Sequence, residues 1–412
     1  VGGDDIWLYM SAPGGWARVV ELFADIGGTY RPIPFSLFSV YHLFGSNIPA
    51  MHWLPIVLHT INVILVYLLV RKISGSRIGA ATASIIYGVS HIVFFDVFNL
   101  TGLVDQIFLL FGLTSILLVW RGKIGWAWLL FILTMFSKES FVTVLLVISY
   151  RLWQKKASWK QYLIFWAPTI VYFGLKLALY RQQGSAYSYV INFPTLRQNL
   201  FDYGLWLINW RHGWQMGMPY PPHALYDWVS VGYLVLLIIG IGKAWQEKRE
   251  IFWLGLGWGL SGLLPFYFLG RALPFYLELS LIGLALTVSG GIAVMKGKWL
   301  YSLVLVGIAI YMSLTTKAQW VENSFSARGV LAAEQYKREV IDKYDWSLYD
   351  KLCLTGMGEY ELWATGVGEL VNLLPHREID IVINPLIENV KCHTKESLEI
   401  EYRDGKYIEL GV

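Results

Sequence analysis

Charge and cysteine are both scarce in this chain. Asp, Glu, Lys and Arg together make up 15% of 412 residues, well below the roughly 25% of an ordinary soluble domain, so a water-facing globular fold is excluded. With 2 cysteines the chain is not a disulfide-dense secreted scaffold. It also lacks a P-loop, a GxSxG elbow, a dinucleotide fingerprint, metal-ligand spacing and any internal repeat, which removes the usual sequence signatures of NTPases, α/β-hydrolases, nicotinamide enzymes and solenoids. No stretch reads as a signal peptide. The chain opens on "VGGDDIWLYM", without a methionine and with two adjacent acids.

What it has in abundance is apolar sequence: 56% of residues are hydrophobic and 16% aromatic, with 20 Trp and 25 Tyr. A bilayer core takes about 20 apolar residues per helical span, and such runs recur from Ala50 to Thr316. The chain reads as an α-helical polytopic membrane protein of about ten spans, at 51–70, 78–97, 103–120, 124–137, 140–153, 160–180, 228–243, 250–268, 273–295 and 299–316. The fourth and fifth are short and meet at "FSKESF". A single helix through 124–153, about 30 residues at 1.5 Å each, would overshoot the membrane unless strongly tilted, so a break is expected there.

Orientation follows from the basic residues. Arg71, Lys72, Arg77, Arg121, Lys123, Arg151, Lys155, Lys156, Lys160, Lys243, Lys248, Arg249, Lys296 and Lys298 all fall in connections on one side, which the positive-inside rule makes cytoplasmic. The net charge of +4 says less than this asymmetry. The opposite side then carries residues 1–50, read as an acidic loop with interfacial helices, together with the break and the long segment 181–227. The "DD" pair lies outside on this reading, and one span is expected ahead of Val1. After the multi-span region 51–316, residues 317–412 change character. "KLCLTGM" and "EIDIVIN" read as strands, "GEYELWATGVGELVNLL" as a helix, and "LEIEYRDGKYIEL" as a hairpin. They form a small extracytoplasmic α+β domain. Cys353 and Cys392 both lie in it, and outside the cytosol a disulfide and two buried thiols are equally compatible with the sequence.

Several polar residues sit where lipid is expected. His59 and Asn62 share a helix face. His91, Asp96, Asn99 and Asp105 cluster between the second and third spans, Lys138 and Glu139 stand at the break, and Lys176 lies near the end of the sixth span. Arg271 and Glu278 are about two turns apart on the ninth. Ionisable groups within spans usually face a cavity or a partner, and all of these fall toward the outer leaflet. Interhelical hydrogen bonds would account for His59 and Asn62, ion pairing for Lys138 with Glu139 or Arg271 with Glu278, and snorkelling for Lys176. None of these readings explains why acids and bases collect on one side. The segment 181–227, with "RHGWQMGMPYPPH", is too long for a plain connection and reads as an interfacial or re-entrant lid.

The acidic pair in a first outer loop, "YRPIPFSLF" after it, "SKES" after a short helix and "RALPFYLELSLIGLAL" late in the chain resemble the GT-C glycosyltransferases. The closest similarity is to protein O-mannosyltransferase-like enzymes and to transmembrane mannosyltransferases that carry tetratricopeptide repeats. The resemblance spans about residues 1–316; no such repeat array follows, no tyrosine stands directly after Arg271, and "TGLVDQI" has no arginine near Asp105. It implies an inverting enzyme that moves a sugar from a polyprenyl-phosphate carrier to a protein, lipid or glycan acceptor at the outer face of the cell (plasma or inner) membrane, with no role for nucleic acid. Such chemistry needs a carboxylate to take or orient the acceptor proton and cations to stabilise the leaving phosphate. The resemblance places Asp4 and Asp5 in the first role, Asp4 slightly favoured as base, and Arg271 and Lys138 in the second, with Arg31 in reserve. Glu139 and Glu278 are supporting residues. Asp96, Asp105 and His91 form a second acidic site; some relatives hold a divalent metal there and others none, and Mg²⁺ or Mn²⁺ would suit oxygen ligands. Two other readings share the location: a surface-polysaccharide polymerase or ligase using a lipid-diphosphate oligosaccharide, and a lipid or solute transporter, although the inverted repeats and broken helices of transporters are not visible.

Overall fold

A computed structural model describes residues 31–38, 40, 48–93, 96–97, 100–179, 189–208, 224–270, 272–323, 325–358, 362, 364–365, 379–383, 392, 397–403 and 405–410. After a short helix α1 (Pro32–Leu37), ten helices follow the apolar runs of the sequence, with one more in the long segment. They are α2 (Trp53–Ser74), α3 (Arg77–Val89), α4 (Leu103–Trp120), α5 (Ile124–Met135), α6 (Phe141–Gln154), α7 (Trp159–Ala178), α8 (Phe193–Leu207), α9 (Ala224–Glu247), α10 (Arg249–Gly262), α11 (Glu278–Val294) and α12 (Lys298–Asn323). Local chemistry sets several ends. Gly75 closes α2 in the left-handed region at φ +71° with its N–H on the Arg71 carbonyl, and Ser76 caps α3 by accepting from the Gly79 N–H at 3.0 Å. The chain does break at "SKES", between α5 and α6.

Length and composition support five of the ten expected spans. Among the described residues five helical stretches are long and apolar enough to cross a membrane: Trp53–Ser74, Leu103–Trp120, Leu225–Glu247, Pro274–Val294 and Lys298–Thr316. The others fall short for identifiable reasons. α3 stops at Val89 because Ser90 turns the chain into an extended conformation, so the expected 78–97 span ends early. α10 gives way after Gly262 to a 3₁₀ turn containing Pro265. α7 has 20 residues, but Lys160, Gln161, Pro168 and Lys176 dilute its hydropathy. α5 and α6, at 12 and 14 residues, reach only about 18 and 21 Å.

The two most enclosed spans are Leu103–Trp120 and Pro274–Val294, 78% and 83% buried against 33% or less for the other three. α11 packs against α10, α9 and α3, and α4 against α5 and α2. Glycine permits the closest of these approaches: a Cβ on Gly283 would meet the Gly259 nitrogen at 2.5 Å and the Gly255 carbonyl oxygen at 2.6 Å. Small residues at such contacts matter because lipid offers helices no hydrophobic reason to associate, leaving close packing to hold them. Trp126, Trp153, Trp159 and Trp299 are exposed near the basic connections, and Trp53 and Trp228 at opposite helix ends, as the two interfaces of a bilayer favour.

Beyond α12, α13 (Phe325–Tyr336) runs into a π turn at Lys337–Ile341. The strands β1 (Lys351–Thr355), β2 (Asp380–Ile383), β3 (Ser397–Arg403) and β4 (Lys406–Glu409) form one sheet in the order β2-β1-β3-β4. β1 lies parallel to β2 and β3, while β3 and β4 form the antiparallel hairpin expected at Asp404-Gly405, with Gly405 at φ +75°. Tyr336, Val340 and Trp346 pack on Leu352, Leu354, Leu398 and Ile400 in a core separate from that of the helical bundle. Cys353 and Cys392 are joined in a disulfide across a Cα separation of 6.2 Å, which resolves the alternative the sequence left open. Of the helix expected at 358–374, Leu362 and Ala364 are helical, Gly358 is not and Thr365 is in a turn, and the other positions lie outside the described residues.

Candidate functional site

The "SKES" turn brings the polar residues together. Its geometry starts from short-range bonds: the Ser137 hydroxyl donates to the Leu133 carbonyl at 2.7 Å, and the Phe141 N–H to the Lys138 carbonyl at 3.1 Å. In this tight turn neighbouring side chains point apart, so Lys138 and Glu139 serve different partners. The expected Lys138–Glu139 pair is therefore not formed. Glu139 turns to α1, where Arg31 meets it with Nη2 on Oε1 at 2.5 Å and Nε on Oε2 at 3.2 Å. The Ile33 N–H, donating to the Phe136 carbonyl at 3.4 Å, fixes α1 to the same turn. Burial alone would raise the Glu139 carboxyl, but the Arg31 charge and hydrogen bonds outweigh it and hold it down to about 2.

Lys138 turns inward. It is buried, forms an ion pair with Asp105 in the first turn of α4, and lies 5.8, 5.9 and 5.7 Å from the ring centres of Phe266, Phe275 and Tyr276. The last two rings come from "RALPFYLEL"; Phe266 stacks on Tyr276 at 4.0 Å. An ammonium over aromatic faces gains quadrupole attraction, most when desolvated. Asp96 and Glu278 are neighbours, both fully buried and both close enough to Asp105 and Lys138 to interact electrostatically. Glu278 opens α11 as Asp105 opens α4, and a helix N-terminus favours an acid. Three acids around one ammonium still leave a net-negative cluster in a dry setting, a costly arrangement unless positive charge or a proton is supplied.

Most of the expected residues thus meet. Arg31, Glu139, Lys138, Asp105, Asp96 and Glu278 gather at one end of the bundle, on the ends of α4, α5, α6 and α11 opposite the basic connections. His91 is buried on the 3₁₀ turn after α3, which packs against the Pro274–Leu277 turn. It borders a cavity of about 20 Å³ lined also by Ser90, Leu207, Tyr233 and Met312, room for about one water. Asp4, Asp5, Asn99 and Arg271 lie outside the described residues. Both described cations expected to hold phosphate are engaged by carboxylates. Asn62 donates to the backbone and side-chain oxygens of Gln106 at 2.9 Å each, and His59 contacts the Gly88 carbonyl at 3.1 Å, the interhelical role that their shared face allowed.

The metal reading fits poorly. Among the described residues no three His, Cys, Asp or Glu side chains are arranged to hold a metal, and the Asp105 carboxylate is taken by Lys138. The sequence reading missed the aromatic rings around Lys138, and it missed Gly102. A Cβ there would overlap the backbone of Asp96, so only glycine lets the chain fold back closely enough to set that acid in place; the turn signal "LTG" ahead of an apolar run was the available clue. Comparison with protein-family models, with curated proteins and with solved structures finds no match to this chain.

Proposed function

We propose that the chain is an inverting glycosyltransferase that moves a sugar from a polyprenyl-phosphate carrier to an acceptor at the outer face of a cell membrane. The observation that carries this reading is the meeting of three sequence stretches on which the GT-C resemblance rests. Arg31 of "YRPIP" pairs with Glu139 of "SKES", and Lys138 of "SKES" sits among Phe275 and Tyr276 of "RALPFYLEL". Stretches 108 residues apart and more have no reason to converge on one polar site if each is only a local turn. On this reading the helices α3, α5, α6, α7 and α10 join the five long apolar spans as crossings, the C-terminal sheet lies outside the cytosol, and the disulfide agrees with that compartment.

The roles then divide by charge. Asp4 and Asp5 supply the base for the acceptor proton, and Arg271 with Lys138 receives the carrier phosphate, a guanidinium being able to bind it in two-pronged fashion. Lys138 is already neutralised by Asp105, so a phosphate would draw the ammonium into a three-body contact in which Asp105 orients it. Arg31 is bound to Glu139 and holds α1 in place. The test is incubation of the full-length protein with labelled polyprenyl-phosphate sugars and identification of products by mass spectrometry. Transfer from a lipid monophosphate donor, lost in Arg271→Ala, supports the reading. Transfer only from a lipid-diphosphate oligosaccharide would make it a polymerase or ligase, and lipid movement without transfer a transporter.

A further inference from the structure

Helix α8 buries two polar side chains beside the aromatic Tyr203 and Trp206. Asn199 and Asp202 are buried, whereas Phe193, Leu200 and Phe201 are exposed. Asn192 caps the helix by accepting from the Thr195 N–H at 2.8 Å, which fixes the register that aims Asn199 inward. There its amide donates to the carbonyls of Leu269 at 2.9 Å and Tyr267 at 3.0 Å, with the Phe266 carbonyl at 3.5 Å. An amide has two N–H donors, so the two shorter contacts use them both. The same turn is held again just ahead of α8, where Tyr189 and Leu269 form an antiparallel bridge and the Val190 N–H donates to the Phe268 carbonyl at 2.7 Å. The Tyr203 hydroxyl reaches the Phe266 carbonyl at 3.4 Å.

This turn, 266–269, is the one whose Phe266 ring stacks on Tyr276 and closes the aromatic wall around Lys138. The Phe266 and Phe268 carbonyls accept from the N–H groups of Leu269 and Val190, and the buried amide of Asn199 takes the carbonyls of Tyr267 and Leu269. We propose that Asn199 is a positioning residue, which transmits the seating of segment 189–207 to Lys138 through the Phe266–Tyr276 stack. Undocking α8 frees the turn, and the freed turn opens the Lys138 ammonium to water. Segment 189–207 thereby sets whether the site is closed, whatever reaction it serves.

The experiment follows the rate at which Lys138 in the purified full-length protein is acylated by a small amine-reactive ester, read peptide by peptide by mass spectrometry. Wild-type Lys138, 3% exposed, should react far more slowly than exposed Lys337. Asn199→Ala should raise the Lys138 rate about tenfold, as expected when buried hydrogen bonds that hold a turn are lost and local opening becomes easier. Asn199→Asp, which presents acceptors to carbonyls, should raise it at least as much, and Asn199→Gln less. Ile116→Ala serves as a comparison of similar destabilisation, since Ile116 is fully buried about three turns along α4 from Asp105. An unchanged Lys138 rate in Asn199→Ala, or a rise matched by Ile116→Ala, would overturn the proposal. No sugar donor enters this readout, so its failure and that of the glycosyltransferase reading are separate results.

Discussion

Arg31 and Glu139, 108 residues apart, are joined by two hydrogen bonds of 2.5 and 3.2 Å that dock the short helix α1 onto the turn between α5 and α6. Their side chains are 22% and 37% exposed, so the pair belongs nearer to surface ion pairs, worth about 0–1 kcal/mol, than to buried ones. Glu139 is held below its ordinary value of 4.5, at about 2. A depressed carboxyl stabilises the fold fully above its unfolded value and ceases to do so as the pH falls through its folded one. We expect thermal stability of the detergent-solubilised protein to decline between pH 4.5 and pH 2, and Glu139→Gln to flatten part of that decline while costing at most about 1 kcal/mol near neutrality. An identical acid profile in wild type and Glu139→Gln would mean that the pair does not form in solution.

Lys138 and Asp105 differ from that pair in burial, and the expected cost differs accordingly. Removing one partner of a buried ion pair leaves an uncompensated charge and costs about 3–5 kcal/mol. Lys138→Met should therefore destabilise strongly, and Asp105→Asn less, because Asp96 and Glu278 remain close enough to Lys138 to interact with it. The double variant Lys138→Met/Asp105→Asn should be less destabilised than the sum of the singles, because the charge left stranded by each single change is gone. Denaturant or thermal unfolding of the four proteins gives the coupling directly; additivity within about 0.5 kcal/mol would show that the two charges do not interact.

The positions of the helices were legible because apolar runs are a one-dimensional signal, but their lengths were not. Whether a run crosses the membrane depends on where a single residue leaves helical geometry, as Ser90 and Pro265 do, and hydropathy averages over such points. The β-hairpin was legible from Asp404-Gly405 because the turn demands a residue with positive φ. The disulfide was not, because bonding depends on a Cα separation that spacing along the chain does not set. At the site, the polar interruptions named residues that the fold brings together, but not the pairing of Lys138 and Glu139. Lys138 and Glu139 are adjacent, and adjacent side chains do not face each other; their true partners, Asp105 and Arg31, come from elements whose approach is a tertiary fact. The aromatic wall was hidden among 66 aromatic residues (20 Trp, 25 Tyr and 21 Phe), where one more Phe or Tyr carries no signal.

Close packing of α10 on α11 gives a prediction whose sign depends on position. Gly283→Ala would set a Cβ 2.5 Å from the Gly259 nitrogen and 2.6 Å from the Gly255 oxygen, backbone atoms that can yield only if the helices separate. Overpacking of this kind costs about 1–3 kcal/mol. Gly257 lies on the same helix as Gly255 with nothing within 4 Å of its would-be Cβ, so Gly257→Ala should be neutral or stabilising by up to about 1 kcal/mol through helix propensity. Thermal unfolding in one detergent compares them. Equal effects of the two substitutions would show that α10 and α11 do not meet at this glycine face.

On the proposed glycosyltransferase reading two acidic groups compete for the role of base, and isosteric substitution separates them. Asp→Asn keeps size and most hydrogen bonding while removing the charge, so a lost proton acceptor shows in turnover. If Asp4 or Asp5 acts on the acceptor, one of Asp4→Asn and Asp5→Asn should transfer sugar at least about 100-fold more slowly with donor affinity nearly unchanged, because a base acts mainly in the transition state. The other should lose less, chiefly through weaker acceptor binding. Asp96 sits beside Glu278, fully buried, with its backbone against Gly102, and its substitution speaks to a different duty. Asp96→Asn removes one acid from the group around Lys138, so it should alter stability and donor binding more than the turnover step. The measurement is single-turnover transfer with donor binding determined separately for each variant. Near wild-type turnover in both loop variants, together with a turnover loss of about 100-fold or more in Asp96→Asn, would move the base from the loop to the buried cluster.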